Sequence, residues 1–317
     1  MNRQTKEGSS AQKVIILGGA TAVGKTAALQ KIQQYITKRQ AGGIEVINCD
    51  SVQVYRHLNI ASAKPTKEVR DSVPHHLVDI LELREKFTAG YFVRQCDKLI
   101  PEIVARGNIP IISGGTVFYL KSFLYGLADI PPLSGHFRSR LEAMSCEELQ
   151  HKLQTLDIKS SQRIHPHDRQ RLLRACEVSW ETGRPFSGYP VPTKIRGQYQ
   201  PFIITLNLAR ETLYRRINQR VEEMFEQGLE QEIAFLKNLG YSGKEQGLQG
   251  IGYREFFRGN TEDKGQILAQ IQQNSRNYAK RQQTFLHQLA GSEVYDVNES
   301  KHIAQRIEGF YFGMEQD

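Results

Sequence analysis

The strongest constraint on how this chain can fold is a short loop near its start. Gly19, Ala20, Thr21, Ala22, Val23, Gly24, Lys25 and Thr26 match GxxxxGK(S/T). The apolar run at 13–17, KVIIL, precedes it, and a helix-forming stretch follows. A strand, a glycine loop and a helix in that order make an anion cradle. The glycines let backbone N–H groups turn inward on phosphate oxygens, and the helix N-terminus adds positive potential. Lys25 supplies a point charge, and the Thr26 hydroxyl suits Mg²⁺, which makes it the candidate metal ligand. The expected ligand is a diphosphate. Most owners of such a loop are kinases or NTPases, so the loop alone points to a nucleotide-using enzyme.

Further apolar runs at 45–48, 76–80 and 109–113 are separated by helical stretches such as 88–106, the pattern of a parallel sheet. A fifth run returns at 201–206. Between 131 and 200 the chain reads as helical and basic, with a capping-box pattern from Ser145 to Glu148 and a helix over 169–181 that Gly183 ends. Long helices are expected over 211–239, stopped by Gly240, and over 264–289, where Ile267, Ile271, Tyr278, Phe285 and Leu289 share a face. The predicted architecture is α/β: a P-loop NTPase-like core with a parallel sheet flanked by helices (13–130 and 201–317). A disordered tail (1–12) precedes it and a mainly helical insertion domain (131–200) interrupts it.

With 317 residues, 39% of them hydrophobic, the chain can bury a large core. Its formal charge of +8 fits a polyanionic partner and equally a solvated basic surface. Cys49, Cys96, Cys146 and Cys176 lie far apart with no CxxC pair, which leaves neither a disulfide framework nor a zinc site legible. The pairs His75-His76 and His165/His167 lack further ligands at useful spacing. No stretch approaches the ~18 apolar residues of a membrane span, and the first residues are polar, so a cytoplasmic protein without membrane contact is expected.

Asp50 falls at the carboxyl end of the second strand, where open α/β sheets place their ligands. It could hold Mg²⁺ through water, act as a base, or cap the next turn. Arg220 shares a helix face with Ile217, Val221 and Met224; a guanidinium there either snorkels at the rim of the core or meets a buried anion. Thr116 follows two glycines at another strand-to-helix turn and reads on its own as an N-cap. In the basic stretch 163–174, Arg171 and Arg174 share a face beside Gln170; such a stretch is either a solvated surface or an RNA contact.

The blocks Asp50-Ser51-Val52-Gln53-Val54-Tyr55, Ala63-Lys64-Pro65-Thr66 and Pro74-His75-His76-Leu77 stand in order and at close spacing. Together they resemble the tRNA dimethylallyltransferases, whose pattern is DSxQVY, GTAKPT and PHHL. The resemblance continues through Gly114-Gly115-Thr116, Arg163-Ile164-His165-Pro166, Asp168-Arg169-Gln170-Arg171, Gly250-Ile251-Gly252-Tyr253 and Ala279-Lys280-Arg281-Gln282. The chain departs from the family pattern at Ala20, Ala61-Ser62, Val117, His167 and Phe285. The resemblance implies an enzyme of the bacterial type that moves a dimethylallyl group from its diphosphate to N6 of adenosine 37, beside the anticodon of tRNA.

It also implies Asp50, Thr116 and Arg220 as catalytic residues, with residues 19–26 holding the donor and Mg²⁺ as cofactor. Contacts to the anticodon stem-loop are implied for Asp50, Ser51, Val52, Gln53, Thr116, Arg138, Gln170, Arg171, Leu172, Leu173 and Arg174. A monomer is expected, with the target base drawn out of its stack into a pocket between core and insertion. The rival readings are an adenylate (AMP or ADP) isopentenyltransferase, which needs no RNA-gripping insertion, and a P-loop small-molecule kinase, which needs an arginine-bearing lid. A non-catalytic RNA-binding protein would have no use for Lys25, Thr26 and Asp50.

Overall fold

In the structure, a computed structural model that describes residues 11–39, 42–259 and 261–313, the first apolar run extends to strand β1 (Gln12–Gly19). Val14, Ile15, Ile16 and Leu17 are all fully buried. A strand with no polar alternation must be covered on both faces, which a parallel sheet between helices provides. The chain continues through α1 (Lys25–Thr37), β2 (Ile44–Asn48), α2 (Lys67–Ser72), β3 (His75–His76), α3 (Ala89–Ala105), β4 (Ile109–Ser113) and α4 (Val117–Tyr125). Four helices follow: α5 (Arg138–Glu142), α6 (Cys146–Leu156), α7 (Ile158–Arg163) and α8 (Arg169–Thr182). It returns through β5 (Tyr199–Asn207), α9 (Arg210–Glu226), α10 (Leu229–Asn238), α11 (Arg254–Arg258), α12 (Lys264–His287), β6 (Ser292–Asp296) and α13 (Ser300–Phe312).

The strands form one parallel sheet in the order β3-β2-β4-β1-β5-β6. Ser113 lies opposite both Asn48 and Leu17, which sets the carboxyl ends of β2, β4 and β1 side by side. Ile15, Leu17 and Ile204 share a core cluster with Leu29 and Ile32 of α1 and with Ile303 and Ile307 of α13. Helix α3 packs against β2 and β4 and buries Phe92, Cys96, Ile100 and Ile103.

The chain divides into two compact units, one running up to Leu124 and again from Arg196 onward, the other spanning Tyr125–Ile195. The second unit has its own core of Leu141, Leu149, Leu153, Leu172, Leu173 and Cys176, with Phe137 stacked on Trp180 at 4.3 Å. Its helix ends obey local rules: Ser145 and Glu148 form a capping box, and Gly183 ends α8 in the left-handed region.

Several boundaries differ from the sequence reading. The segment read as an insertion over 131–200 corresponds to a unit that ends at Ile195, because Tyr199 and Gln200 pair with Gln12 and Lys13 as the first rungs of β5. Of the tail expected over 1–12, residues 1–10 lie outside the described residues and Gln12 opens β1. The strand expected at 76–80 stops at His76, since Leu77 and Asp79 adopt φ of 62° and 57°. Leu77 and Val78 are buried all the same, so their apolar character reports burial without extension. The helix expected over 211–239 is two helices, α9 and α10, parted at Gly228 with φ 95°. Toward the end of α12 the buried residue is Leu286, whereas Phe285 is only partly covered. Strand β6 had no expectation: its Ser-Glu-Val-Tyr-Asp sequence lies at the sheet edge, half exposed, without an apolar run to announce it. Among the described residues, no helix is long and apolar enough to cross a membrane.

Candidate active site

The loop 19–26 occupies the turn from β1 into α1. Ala22 takes φ 61°, and α1 starts at Gly24 without a side-chain cap. First-turn N–H groups have no partner within a helix, so this end offers donors and positive potential to an anion. Lys25 Nζ donates to the carbonyl oxygens of Gly19 and Ala20 at 2.9 and 3.0 Å. Burial, aided by the neighbouring Arg220 guanidinium, lowers the Lys25 pKa to about 8, against the raising influence of Asp50. Arg220 reaches the loop from α9, its Nη1 donating to Thr21 Oγ1 at 3.2 Å. Burial lowers its pKa as well, and Asp50 again acts in the opposite sense. One turn earlier on α9, Arg216 Nη1 donates to the Val23 carbonyl at 3.1 Å.

Asp50 stands just beyond β2. Its Oδ1 accepts the N–H groups of Val52 and Gln53 at 2.8 and 3.2 Å, so one carboxylate oxygen fills the capping role. The turn after β4 lies flat against this segment because it begins with glycines. A Cβ on Gly114 would sit 2.2 Å from the Cys49 carbonyl oxygen, and one on Gly115 would sit 2.8 Å from Gln282 Nε2. Thr116 Oγ1 accepts Ser51 N–H at 3.0 Å and donates to Ser51 Oγ at 3.2 Å. From α12, Gln282 Nε2 donates to the Gly115 carbonyl at 2.7 Å, while its Oε1 accepts Thr21 N–H at 2.8 Å. The Tyr278 hydroxyl donates to the same Gly115 carbonyl at 2.6 Å.

A cavity of about 290 Å³ opens between these groups. Thr21, Asp50, Ser51, Thr116 and Arg220 line it together with Ile217, Val221, Met224 and Ile271. The α9 stripe read from the sequence, Ile217, Arg220, Val221 and Met224, is therefore one wall of the cavity. Loop N–H groups, Lys25 and Arg220 can stabilise a departing diphosphate; the carboxylate beside them can take a proton; the apolar side chains can cover a hydrocarbon group. Among the described residues no three His, Cys, Asp or Glu side chains cluster to hold a metal. Thr26, exposed at the head of α1, offers a single hydroxyl. That donor set fits Mg²⁺, which binds through one or two protein oxygens when phosphate oxygens and water complete its shell.

A family model described as IPP transferase matches residues 53–289. The chain belongs to the IPP transferase family. It is 39% identical over 276 residues to tRNA dimethylallyltransferase 1 of Citrifermentans bemidjiense, covering 86% of this chain and 88% of the relative. It is 38% identical over 306 residues to the tRNA dimethylallyltransferase of Geobacillus kaustophilus, covering 94% and 95%. The fold matches the crystal structure of the tRNA isopentenylpyrophosphate transferase from Bacillus halodurans with a TM-score of 0.68 at 33% identity, over 96% of this chain and 98% of that one. A eukaryotic dimethylallyltransferase described as acting on tRNA matches with a TM-score of 0.77 at 26% identity, over 96% and 81%. The α/β fold and the prenyltransferase class expected from the sequence hold.

In this IPP transferase the candidates divide by unit. The loop 19–26, Asp50, Ser51, Val52, Thr116 and Arg220 all belong to the first unit, and Thr21 and Ala22 of the loop line the same cavity as the other five. Gln53 is turned elsewhere: its Nε2 donates to the carbonyls of Ser62 and Ala63 and anchors that loop. Arg138, Gln170, Arg171, Leu172, Leu173 and Arg174 belong to the second unit. Gln170 and Arg171 are exposed on α8, but Leu172 and Leu173 are buried in that unit's core. Their side chains are corrected from candidate RNA contacts to packing. Arg138 and Arg174 both bond the carboxylate of buried Glu177, at 3.3 and 2.9 Å, whereas Arg171 pairs only with Asp168 at the surface. The sequence reading missed Arg216, Tyr278 and Gln282 as parts of the site. The signal available for Gln282 was a polar residue in phase with the buried stripe Ile271, Ala279 and Leu286 of α12.

Proposed function

We propose that this chain transfers a dimethylallyl group from dimethylallyl diphosphate to N6 of the adenosine beside the anticodon of tRNA, releasing diphosphate. The supporting observation is that Asp50 and Arg220 line one cavity with Thr116 and an apolar wall, while Lys25 is held on the adjoining loop, whose Thr21 and Ala22 reach the same space. An adenine N6 amine is a poor nucleophile because its lone pair is delocalised into the ring. Removal of its proton as the bond forms therefore lowers the barrier. Asp50 is the base: Oδ1 is fixed by the Val52 and Gln53 amides, which leaves Oδ2 for the proton. N6 bonds to the allylic carbon as that carbon's bond to the diphosphate oxygen breaks. The electron pair leaves with the diphosphate, where Lys25, Arg220 and the loop amides offset its charge. Thr26 is the residue to hold Mg²⁺, which when bound neutralises charge on the diphosphate.

The acceptor is assigned to tRNA on the strength of the relatives' activity and of the exposed Gln170 and Arg171 of α8 in the second unit. The experiment is incubation of the purified protein with labelled dimethylallyl diphosphate and either tRNA or AMP, followed by nucleoside analysis. N6-dimethylallyl adenosine should appear in digested tRNA and none should form from AMP; label in AMP alone would replace this reading. Asp50→Asn, which keeps an acceptor for the two capped amides, should lower kcat by roughly 10²–10⁴-fold with tRNA affinity within a few fold. Undiminished turnover would remove Asp50 from its role.

A further inference from the structure

We infer that Gln282 is a positioning residue of the transfer reaction: its side-chain amide sets the spacing between the diphosphate loop and the turn that adjoins Asp50. The inference rests on the reading of the site given above. Gln282 is 1% exposed, on the stripe of α12 that buries Ile271, Ala279 and Leu286. A buried carboxamide is costly unless its polar atoms find partners, and these partners are chosen from two different loops. Oε1 accepts Thr21 N–H at 2.8 Å, and Nε2 donates to the Gly115 carbonyl at 2.7 Å.

Each partner leads to a reacting group. Thr21 belongs to the anion loop and also receives Arg220. Gly115 precedes Thr116, which holds the Ser51 amide and so the segment that carries Asp50. Tyr278 bonds the Gly115 carbonyl as well, but it has no bond to the anion loop, so Gln282 makes the link. The orientation of the amide is dictated by the partners: a main-chain N–H can only donate and a carbonyl can only accept. A carboxamide satisfies both at once, and neither Glu nor Met does.

The two loops leave different strands, β1 and β4, and nothing covalent fixes the gap between them. Transfer needs the attacking nitrogen and the allylic carbon held at about 3–3.5 Å, and a slip of about 1 Å can cost about 10²-fold in rate. A clamp of this kind acts on turnover without touching substrate. By accepting the Thr21 N–H, Gln282 also withdraws one donor from the cradle that the ligand sees.

The test compares wild type with Gln282→Met, which keeps the length and removes both bonds, and Gln282→Glu, which keeps the Thr21 acceptor and loses the donor to Gly115. At saturating dimethylallyl diphosphate and tRNA, Gln282→Met should lower kcat roughly 10–100-fold while both KM values stay within about threefold. Amide hydrogen exchange should quicken in peptides covering 18–24 and 114–118. Gln282→Glu should leave the first peptide protected and quicken the second, so a misfolded Met variant does not decide the matter. A wild-type kcat in Gln282→Met, or a loss that only tracks the unfolded fraction, would overturn the clamp. If wild type itself transfers nothing to tRNA, the proposed function fails, and the exchange data still judge the clamp: unchanged protection in both peptides overturns it.

Discussion

Lys25 carries a charge that the unliganded site holds poorly, and this has a signature in protons. Burial brings its pKa down to about 8 from its ordinary value of 10.5. An unfolded chain keeps that proton up to the higher value, so the folded chain binds fewer protons between about 8 and 10.5, and stability from this group rises with pH across that window. Below about 8 the buried cation exerts its full unfavourable effect. A bound diphosphate reverses it by supplying opposite charge, so the donor should draw a proton onto Lys25 wherever the amine is partly neutral. Titration calorimetry of dimethylallyl diphosphate in buffers of different ionisation heat should show uptake of roughly three-quarters of a proton at about pH 8.5 and about a tenth at pH 7. Equal, near-zero uptake at both would mean that Lys25 stays fully charged in the empty site. Residues of this kind were legible because the chemistry of a phosphate loop fixes both their type and their spacing. The roles of Gln282 and Arg216 were not, because each acts through a contact separated by more than 190 positions in sequence; the phase of Gln282 on α12 could announce its burial, but no local pattern encodes such a partner.

Elements were legible where burial was symmetrical. Strands β1, β2 and β4 are central and covered on both faces, and their apolar runs announced them. Edge strands β3 and β6 are short or half exposed, and they gave a misplaced end or no signal. The break between α9 and α10 has a different cause. Both helices keep apolar residues in phase, so periodicity carries across the junction while the backbone at Gly228, φ 95° and ψ 34°, cannot be helical. A side chain in that region costs about 1–2 kcal/mol. Space does not prevent one, since the nearest atom to an added Cβ is Gln231 Oε1 at 3.2 Å, the end of a flexible side chain. Gly228→Ala should therefore lower the urea midpoint by an amount equivalent to about 1–2 kcal/mol with the slope unchanged. An unaltered midpoint would show that the chain can run through 226–229 as one continuous helix.

Across the whole molecule, 42 basic against 34 acidic residues give the excess of +8, yet position decides what that charge can do. Arg174 is committed to Glu177, whose side chain is only 7% exposed, while Arg138 is divided between Glu142 at 2.7 Å and Glu177 at 3.3 Å, and removing either arginine leaves the Glu177 carboxylate short of a partner. Arg171, 77% exposed and paired only with Asp168, is the cation of α8 most available to an RNA phosphate. The two arginines that share a face in the sequence thus have separable roles. Binding that neutralises phosphates releases counterions, so each lost contact reduces the slope of log affinity against log salt by about 0.7–0.9. Arg171→Ala should flatten the slope for tRNA by about that amount and leave the unfolding temperature unchanged. Arg174→Ala should lower the unfolding temperature and change the slope less. Filter binding across a salt series, with thermal melts of the same proteins, reads both effects. The opposite ordering would place Arg174 on the RNA and return Arg171 to the solvated surface.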